Sequence, residues 1–211
     1  AAYVMKKQNY DISCVISIKS LNPNSYMFHT PNIHLVDLQS ESMNIPLVVI
    51  ETNGEKEKEL KDLEKALQEA KQKYKIEGIV SGALFSQYQR ERLEKVADKV
   101  GLKVFSPLWH MDQEQELRQL IREGFEVVLS SIAAEGLDKS WLGRVLTEKD
   151  VDRLVLLHKK HGLNIAFEGG EAESLVLWCP LFRKKIQILS QHIEAENMNI
   201  ARLIVTKAVL N

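Results

Sequence analysis

Three carboxylates, Glu168, Glu171 and Glu173, fall within six residues around the pair Gly169-Gly170, in the stretch LNIAFEGGEAESLVLWCPLF (163–182). Carboxylates this close attract a cation, and one of them can take a proton from an incoming nucleophile. Two glycines let the backbone turn sharply or approach a ligand closely, and the apolar, β-rich runs on either side would hold the turn at the end of a sheet. An acidic hairpin turn on a solvated edge has the same composition, so the pattern alone leaves both readings open.

Other groups could do chemistry. Ser81-Gly82-Ala83-Leu84-Phe85-Ser86 joins a strand end to a helix start, where free N–H groups and the helix dipole suit a phosphate; no P-loop or complete dinucleotide fingerprint accompanies it. Arg90 and Arg92 follow in the first turns of that helix, a poor place for a cation unless an oxyanion faces it. The loop SLNPNSYMFHTPN (20–32) is long, polar and aromatic, as a purine-binding loop would be, and His29 is the one side chain in it of a type that can transfer a proton near neutrality. His158 and His161 are three apart on a helix without a third metal ligand in view. Trp109, Trp141 and Trp178 read as core or rim residues, although a ring beside a carboxylate also suits a quaternary ammonium group. Cys14 and Cys179 sit in apolar runs, as buried inert thiols do.

These groups need a frame. ISCVISI (12–18), PLVVIE (46–51), IEGIVSGAL (76–84) and LKVFSPLW (102–109) read as short strands rich in β-branched residues. Helices are expected between them: one opened by Thr30-Pro31 and ended near Asn44, one opened by Thr52 with Glu55, and one opened by Ser86 and closed by Gly101. Leu60, Leu63, Leu67, Ala70 and Tyr74 form the apolar stripe of the second. Alternation of this kind gives a parallel sheet covered on both faces, with ligands at the carboxyl ends of its strands. Residues 1–109 form this α/β domain. Residues 110–211 read as a smaller α+β domain with partly antiparallel strands, including LNIAF, SLVLWCPLF, KKIQIL and LIVTKAV, and a helix opened by Thr147 with Asp150 and ended by Gly162.

The chain of 211 residues is 45% hydrophobic, enough for a core, and its 28 basic and 29 acidic residues nearly cancel. That balance argues against nucleic acid as a partner. No apolar run approaches the roughly 18 residues of a membrane span and no signal-peptide succession opens the chain, so the expectation is a cytoplasmic protein.

Five ordered blocks, SIKSLNPNSYMFHTPN (17–32), GIVSGALFSQYQRERLE (78–94), PLWHMDQEQELRQLI (107–121), GLDKSWLGR (136–144) and EGGEAESLVLWCPLF (168–182), closely resemble the diphthine–ammonia ligase family, also called the diphthamide synthetase or ATP-binding-domain-4 family. The resemblance implies a Rossmann-like fold of the adenine nucleotide alpha hydrolase (HUP) type. It also implies an activity: ATP adenylates the carboxylate of diphthine, a modified histidine on translation elongation factor 2, and ammonia displaces AMP to give diphthamide. By the same resemblance, Ser17, Ile18, Lys19, Met27, His29, Ser81, Gly82 and Ser86 would bind nucleotide. Tyr88, Trp109, Asp138, Glu168, Gly169, Gly170, Glu173 and Ser174 would bind the acceptor, and Glu171 and Arg90 would be catalytic, Glu171 as base and Arg90 beside the adenylate. ATP would bring magnesium, with no protein cage for the metal; ammonium and the elongation factor are the other partners, and a homo-oligomer is left open. Family members carry a Ser-Gly-Gly-Lys-Asp-Ser pyrophosphate loop ahead of a helix resembling AAYVMKKQNY. The expectation is therefore a sequence incomplete at its front, inactive as it stands if the loop is truly missing. The competing expectations are an ATP or AMP sensor without catalysis and a ligase acting on another carboxylate.

Overall fold

The computed structural model describes residues 1–22, 28, 30–55 and 57–211. The chain divides into two compact units, Ala1–His110 and Met111–Asn211. The first runs α1 (Ala2–Lys7), β1 (Val15–Ser20), a 3-10 turn (Ile33–Leu35) leading into α2 (Val36–Met43), β2 (Leu47–Thr52), α3 (Glu59–Tyr74), β3 (Gly78–Val80), α4 (Gln87–Val100) and β4 (Lys103–Phe105). Both strand pairings are parallel: Val15 to Ser20 lie opposite Leu47 to Thr52, and Gly78 to Val80 opposite Lys103 to Phe105. The hydrogen-bond ladder is divided into two pairs, β1-β2 and β3-β4. They nevertheless share one core, in which Ile18, Leu63, Ala66, Leu67, Val96, Ala97 and Leu102 are buried and Ile79 and Val104 pack against them. The spacing of Leu63, Ala66, Leu67 and Ala70 is that of one helix face turned inward.

Two helix starts differ from expectation. Thr52 stays in its strand, where its hydroxyl accepts the Gly54 N–H at 3.2 Å, so α3 opens only at Glu59. After Thr30-Pro31, Asn32 takes a left-handed φ of 54°, which delays the helix to the 3-10 turn at Ile33. The expected ends hold: Asn44 (φ 53°) and Gly101 (φ 68°) are both left-handed.

The second unit runs α5 (Gln113–Arg122), β5 (Glu126–Ala133), a 3-10 turn (Lys139–Trp141), α6 (Glu148–His161), β6 (Ala172–Trp178), β7 (Ile186–Ala195) and β8 (Ile200–Leu210). Its sheet has the order β6-β5-β8-β7 and is antiparallel throughout. Val128, Leu129 and Ile132 of β5 pack in its core with Leu137, Trp141, Val151, Leu154, Ile186 and Leu203, all 0–1% exposed. Thr147 and Asp150 close the capping box of α6, and Gly162 ends the helix at φ 73°. LNIAF is a turn, not a strand. The cause is Asn164, whose side-chain oxygen takes the N–H groups of Ala166 and Glu168 and so removes donors a ladder would need.

Candidate functional site

In the first unit the strand ends carry the expected loops. Ser20 and Gly54 meet where β1 and β2 finish: Asn22 Nδ2 donates to the Gly54 carbonyl at 3.0 Å, and a Cβ on Gly54 would lie 2.2 Å from Ser20 Oγ. Beyond β3, the Ser81 N–H donates to the Phe105 carbonyl at 2.8 Å, while Ser81 Oγ accepts from the Ala83 N–H at 3.2 Å. Gly82 is exposed at the crest of that turn. Ser86 then caps α4, accepting from the Gln89 N–H at 3.4 Å.

The loops after β3 and β4 are joined by a ladder of flat groups. The Phe85 ring stacks on His110 (5.5 Å between centroids), His110 on Trp109 (5.0 Å), and the Arg90 guanidinium lies 4.5 Å from the Trp109 centroid. Arg90 Nε also donates to Glu94 at 2.7 Å, which holds its cation in place and takes up part of its charge. The Arg92 guanidinium covers the half-buried Tyr88 ring at 3.5 Å and pairs with Glu57. Ser17 and Ile18 are buried, Ile18 in the core, so nucleotide could meet this part of β1 only through backbone atoms. Lys19 reaches Asp37 at 3.5 Å. Met27 and His29 lie outside the described residues.

In the second unit the acidic segment is a compact turn. Phe167 (φ 64°) and Gly170 (φ 85°) carry its left-handed positions, the Phe167 N–H donates to the Asn164 carbonyl at 3.0 Å, and the Gly170 N–H to the Phe167 carbonyl at 3.1 Å. Glu171 Oε1 accepts the Asn164 N–H at 3.1 Å and folds over Gly169, where a Cβ would lie 2.6 Å from it; Oε2 is enclosed and has no hydrogen-bond partner among the described residues. The Glu171 carbonyl takes the Ala133 N–H at 2.7 Å, which fixes the turn to the end of β5. Asp138 follows that same strand end, exposed and accepting the Ser140 N–H at 2.8 Å. Glu173 and the exposed Ser174 open β6 beside an irregularity: Leu129 faces Ser174 and Ser131 faces Glu173, leaving Ser130 extra, its hydroxyl donating to the Glu173 carbonyl at 3.2 Å. Such bulges re-aim side chains at the edges of functional sites. The structure therefore brings Glu168, Gly169, Gly170, Glu171, Glu173 and Ser174 together, with Asp138 at the same end of β5.

Helix α5 supplies two residues that sequence reasoning missed. Gln113 Oε1 accepts the Ile165 N–H at 2.9 Å, and Glu116, one turn on, lies near Glu168. Burial, and then the charge of Glu168, push the Glu116 carboxyl above its ordinary range. Only the acidic run DQEQE hinted at this, and nothing local pairs it with a turn some fifty residues away. Asp138 moves the other way, held low by the hydroxyl and N–H of Ser140. His158 is engaged with the Leu163 carbonyl at 2.8 Å. Among the described residues no group of three or more His, Cys, Asp or Glu is placed to hold a metal ion. Cys179 is buried as expected, whereas Cys14 is only half-buried; burial pushes both thiols up. No described helix is long and apolar enough to cross a membrane.

The chain is thus a two-part protein, an α/β unit of parallel strands, which bind ligands at their carboxyl ends in open sheets of this kind, followed by an antiparallel unit bearing a carboxylate-rich turn. Residues 1–104 match the family described as Diphthamide synthase N-terminal domain, and residues 112–209 match Diphthamide synthase C-terminal domain. The chain belongs to the diphthamide synthase family. It is 37% identical over 186 residues to a Rattus norvegicus protein named diphthine–ammonia ligase, covering 81% of this chain and 68% of that one. The Homo sapiens protein of the same name is 36% identical over 184 residues (80% and 67%), and the Schizosaccharomyces pombe one 32% over 198 residues (85% and 32%). A solved structure described as a predicted subunit of tRNA methyltransferase from Methanocaldococcus jannaschii covers 85% of this chain and 90% of its own at 13% identity, with a TM-score of 0.38, too low to bear on fold or function.

Proposed function

We propose that the protein is a diphthine–ammonia ligase. It amidates diphthine at the expense of ATP. A carboxylate oxygen of diphthine attacks the α-phosphorus of ATP, the bond to the β-phosphate oxygen breaks, and pyrophosphate leaves. Neutral ammonia then attacks the acyl carbon, the bond to AMP breaks, and the nitrogen loses one proton to a base. A carboxylate resists ammonia because its oxide is a poor leaving group, and joining it to AMP supplies a good one. The observation that carries this reading is the match of both units to the two diphthamide synthase domains, together with several relatives named for this reaction. Nothing observed favours a nucleotide sensor without catalysis.

Within that reaction, the Ser81-Gly82 turn and the Ser86 cap serve the phosphates, with the backbone at Ser17, Ile18 and Lys19 near the nucleoside; Met27 and His29 retain the nucleoside role that the resemblance implies. Arg90, steadied on Trp109 and by Glu94, offsets negative charge on the adenylate. Glu168 and Glu173 attract the trimethylammonium group of diphthine and incoming ammonium. Glu171 takes the proton: one oxygen is tied to Asn164, and the other is uncommitted, although enclosed until the carboxylate turns outward. Gly169 and Gly170 let the substrate approach the turn, with Ser174, Asp138, Tyr88 and Trp109 as further acceptor contacts. Magnesium arrives with ATP. The protein substrate is elongation factor 2, which sets the work in the cytoplasm, and homo-oligomerisation is compatible with all of this.

The test is to incubate full-length protein with ATP, ammonium and diphthine-bearing elongation factor, measuring AMP, pyrophosphate and the mass of the modified histidine. All three are expected to change together. AMP release without the amide refutes the assignment.

A further inference from the structure

We infer that Asn164 is the positioning residue of the acidic turn, acting on the amidation through Glu168 and Glu171; this rests on the function proposed above. Its two neighbours are pinned from different helices. The Leu163 carbonyl accepts from His158 of α6 at 2.8 Å, and the Ile165 N–H donates to Gln113 of α5 at 2.9 Å. Residue 164 is thereby clamped between two elements of the unit's core, and of the four hydrogen bonds it makes to the turn, two fall at the carboxylate-bearing residues Glu168 and Glu171. Its N–H donates to Glu171 Oε1 at 3.1 Å. Its side-chain oxygen accepts the N–H of Glu168 at 3.3 Å and that of Ala166 at 3.0 Å, and its carbonyl accepts the Phe167 N–H at 3.0 Å.

One side chain thus sets the backbone direction at Glu168, while the same residue's backbone orients the carboxylate of Glu171. Asparagine suits the task because its amide oxygen can accept two N–H groups without adding a charge beside the glutamates. An aspartate would keep the acceptor; an alanine would release both N–H groups and leave the turn free to take other shapes. Positional errors of this sort act on catalysis out of proportion to their effect on folding.

The experiment measures steady-state kinetics of amide formation for the parent protein, Asn164→Ala, Asn164→Asp and Glu171→Gln, with melting temperatures alongside. For Asn164→Ala, loss of two hydrogen bonds predicts a rise on the order of tenfold in the KM values for ammonium and for the diphthine-bearing protein, with KM for ATP within about twofold of the parent. Asn164→Asp is expected to recover to within about twofold, since its carboxylate accepts the same two N–H groups. Equal losses toward all three substrates, no loss, or no rescue by aspartate would overturn the inference. If Asn164→Ala fails to fold, Gln113→Ala, which removes one clamp, takes its place and must show the same selectivity in a smaller degree; an unselective result there also overturns it. Selective loss in Glu171→Gln beside a silent Asn164→Ala sinks the positioning role alone. Glu171→Gln without selective loss sinks the role given to the turn, and the inference with it.

Discussion

The two oxygens of Glu171 differ: one holds the Asn164 N–H, and the other has no partner among the described residues. Glu171→Gln is expected to lower the amidation rate by on the order of a hundredfold or more while AMP binding changes little, measured by single-turnover amide formation against AMP titration. Glu116 makes a prediction in pH. Its folded-state carboxyl lies above the unfolded value, so its contribution to stability is fully present below the ordinary carboxylate range and is lost as pH rises through the raised value. Glu116→Gln, which mimics the protonated group, should therefore melt higher than the parent at neutral pH, and the difference should vanish in acid. A melting series from pH 3 to pH 8 that shows a constant difference would exclude the linkage. Glu171 was legible from its glycine pair and its acidic neighbours. Glu116 was not, because burial and a facing charge arise only when α5 packs near the turn.

Caps and turn locks set where each element starts. Ser86, Gly101, Thr147 with Asp150, and Gly162 sit at the helix ends as read, because each acts on backbone groups within a few residues of itself. Burial works against charge on Asp150, but the Arg144 guanidinium at 2.8 Å and the Thr147 hydroxyl and N–H outweigh it and hold the carboxyl low. Its stabilisation is present above the unfolded carboxylate value and fades as pH falls through the depressed one. Asp150→Asn is accordingly expected to lose about 1–3 kcal/mol at neutral pH by chemical denaturation, and less in acid. Thr52 looked like a cap of equal quality, yet its hydroxyl is taken by Gly54 and its backbone continues β2. Gly54 has both a left-handed φ of 67° and no room for a Cβ against Ser20 and Asn22. Gly54→Ala should destabilise the first unit by about 1–3 kcal/mol and raise KM for ATP, as the two loops at the ends of β1 and β2 move apart. Unchanged ATP kinetics would show that these loops do not serve the nucleotide.

At the scale of the whole chain, each unit has its own interior, Leu67 and Val96 in one, Trp141 and Leu203 in the other. Leu67→Ala should cost about 2–5 kcal/mol, with amide exchange quickened across Ala1–His110 and protection kept in Met111–Asn211. Uniform acceleration along the whole chain would show that the units unfold as one. The order of strands and helices, the helix ends and the acidic turn were all decided within short windows of sequence, since periodicity, caps and glycine conformations act over a few residues. Folding alone decided that the parallel strands pair in two separate ladders and that the C-terminal sheet runs β6-β5-β8-β7. It alone brought Gln113 and Glu116 to a turn some fifty residues away in sequence. Those contacts join residues far apart along the chain, and only the burial of apolar faces against one another selects them.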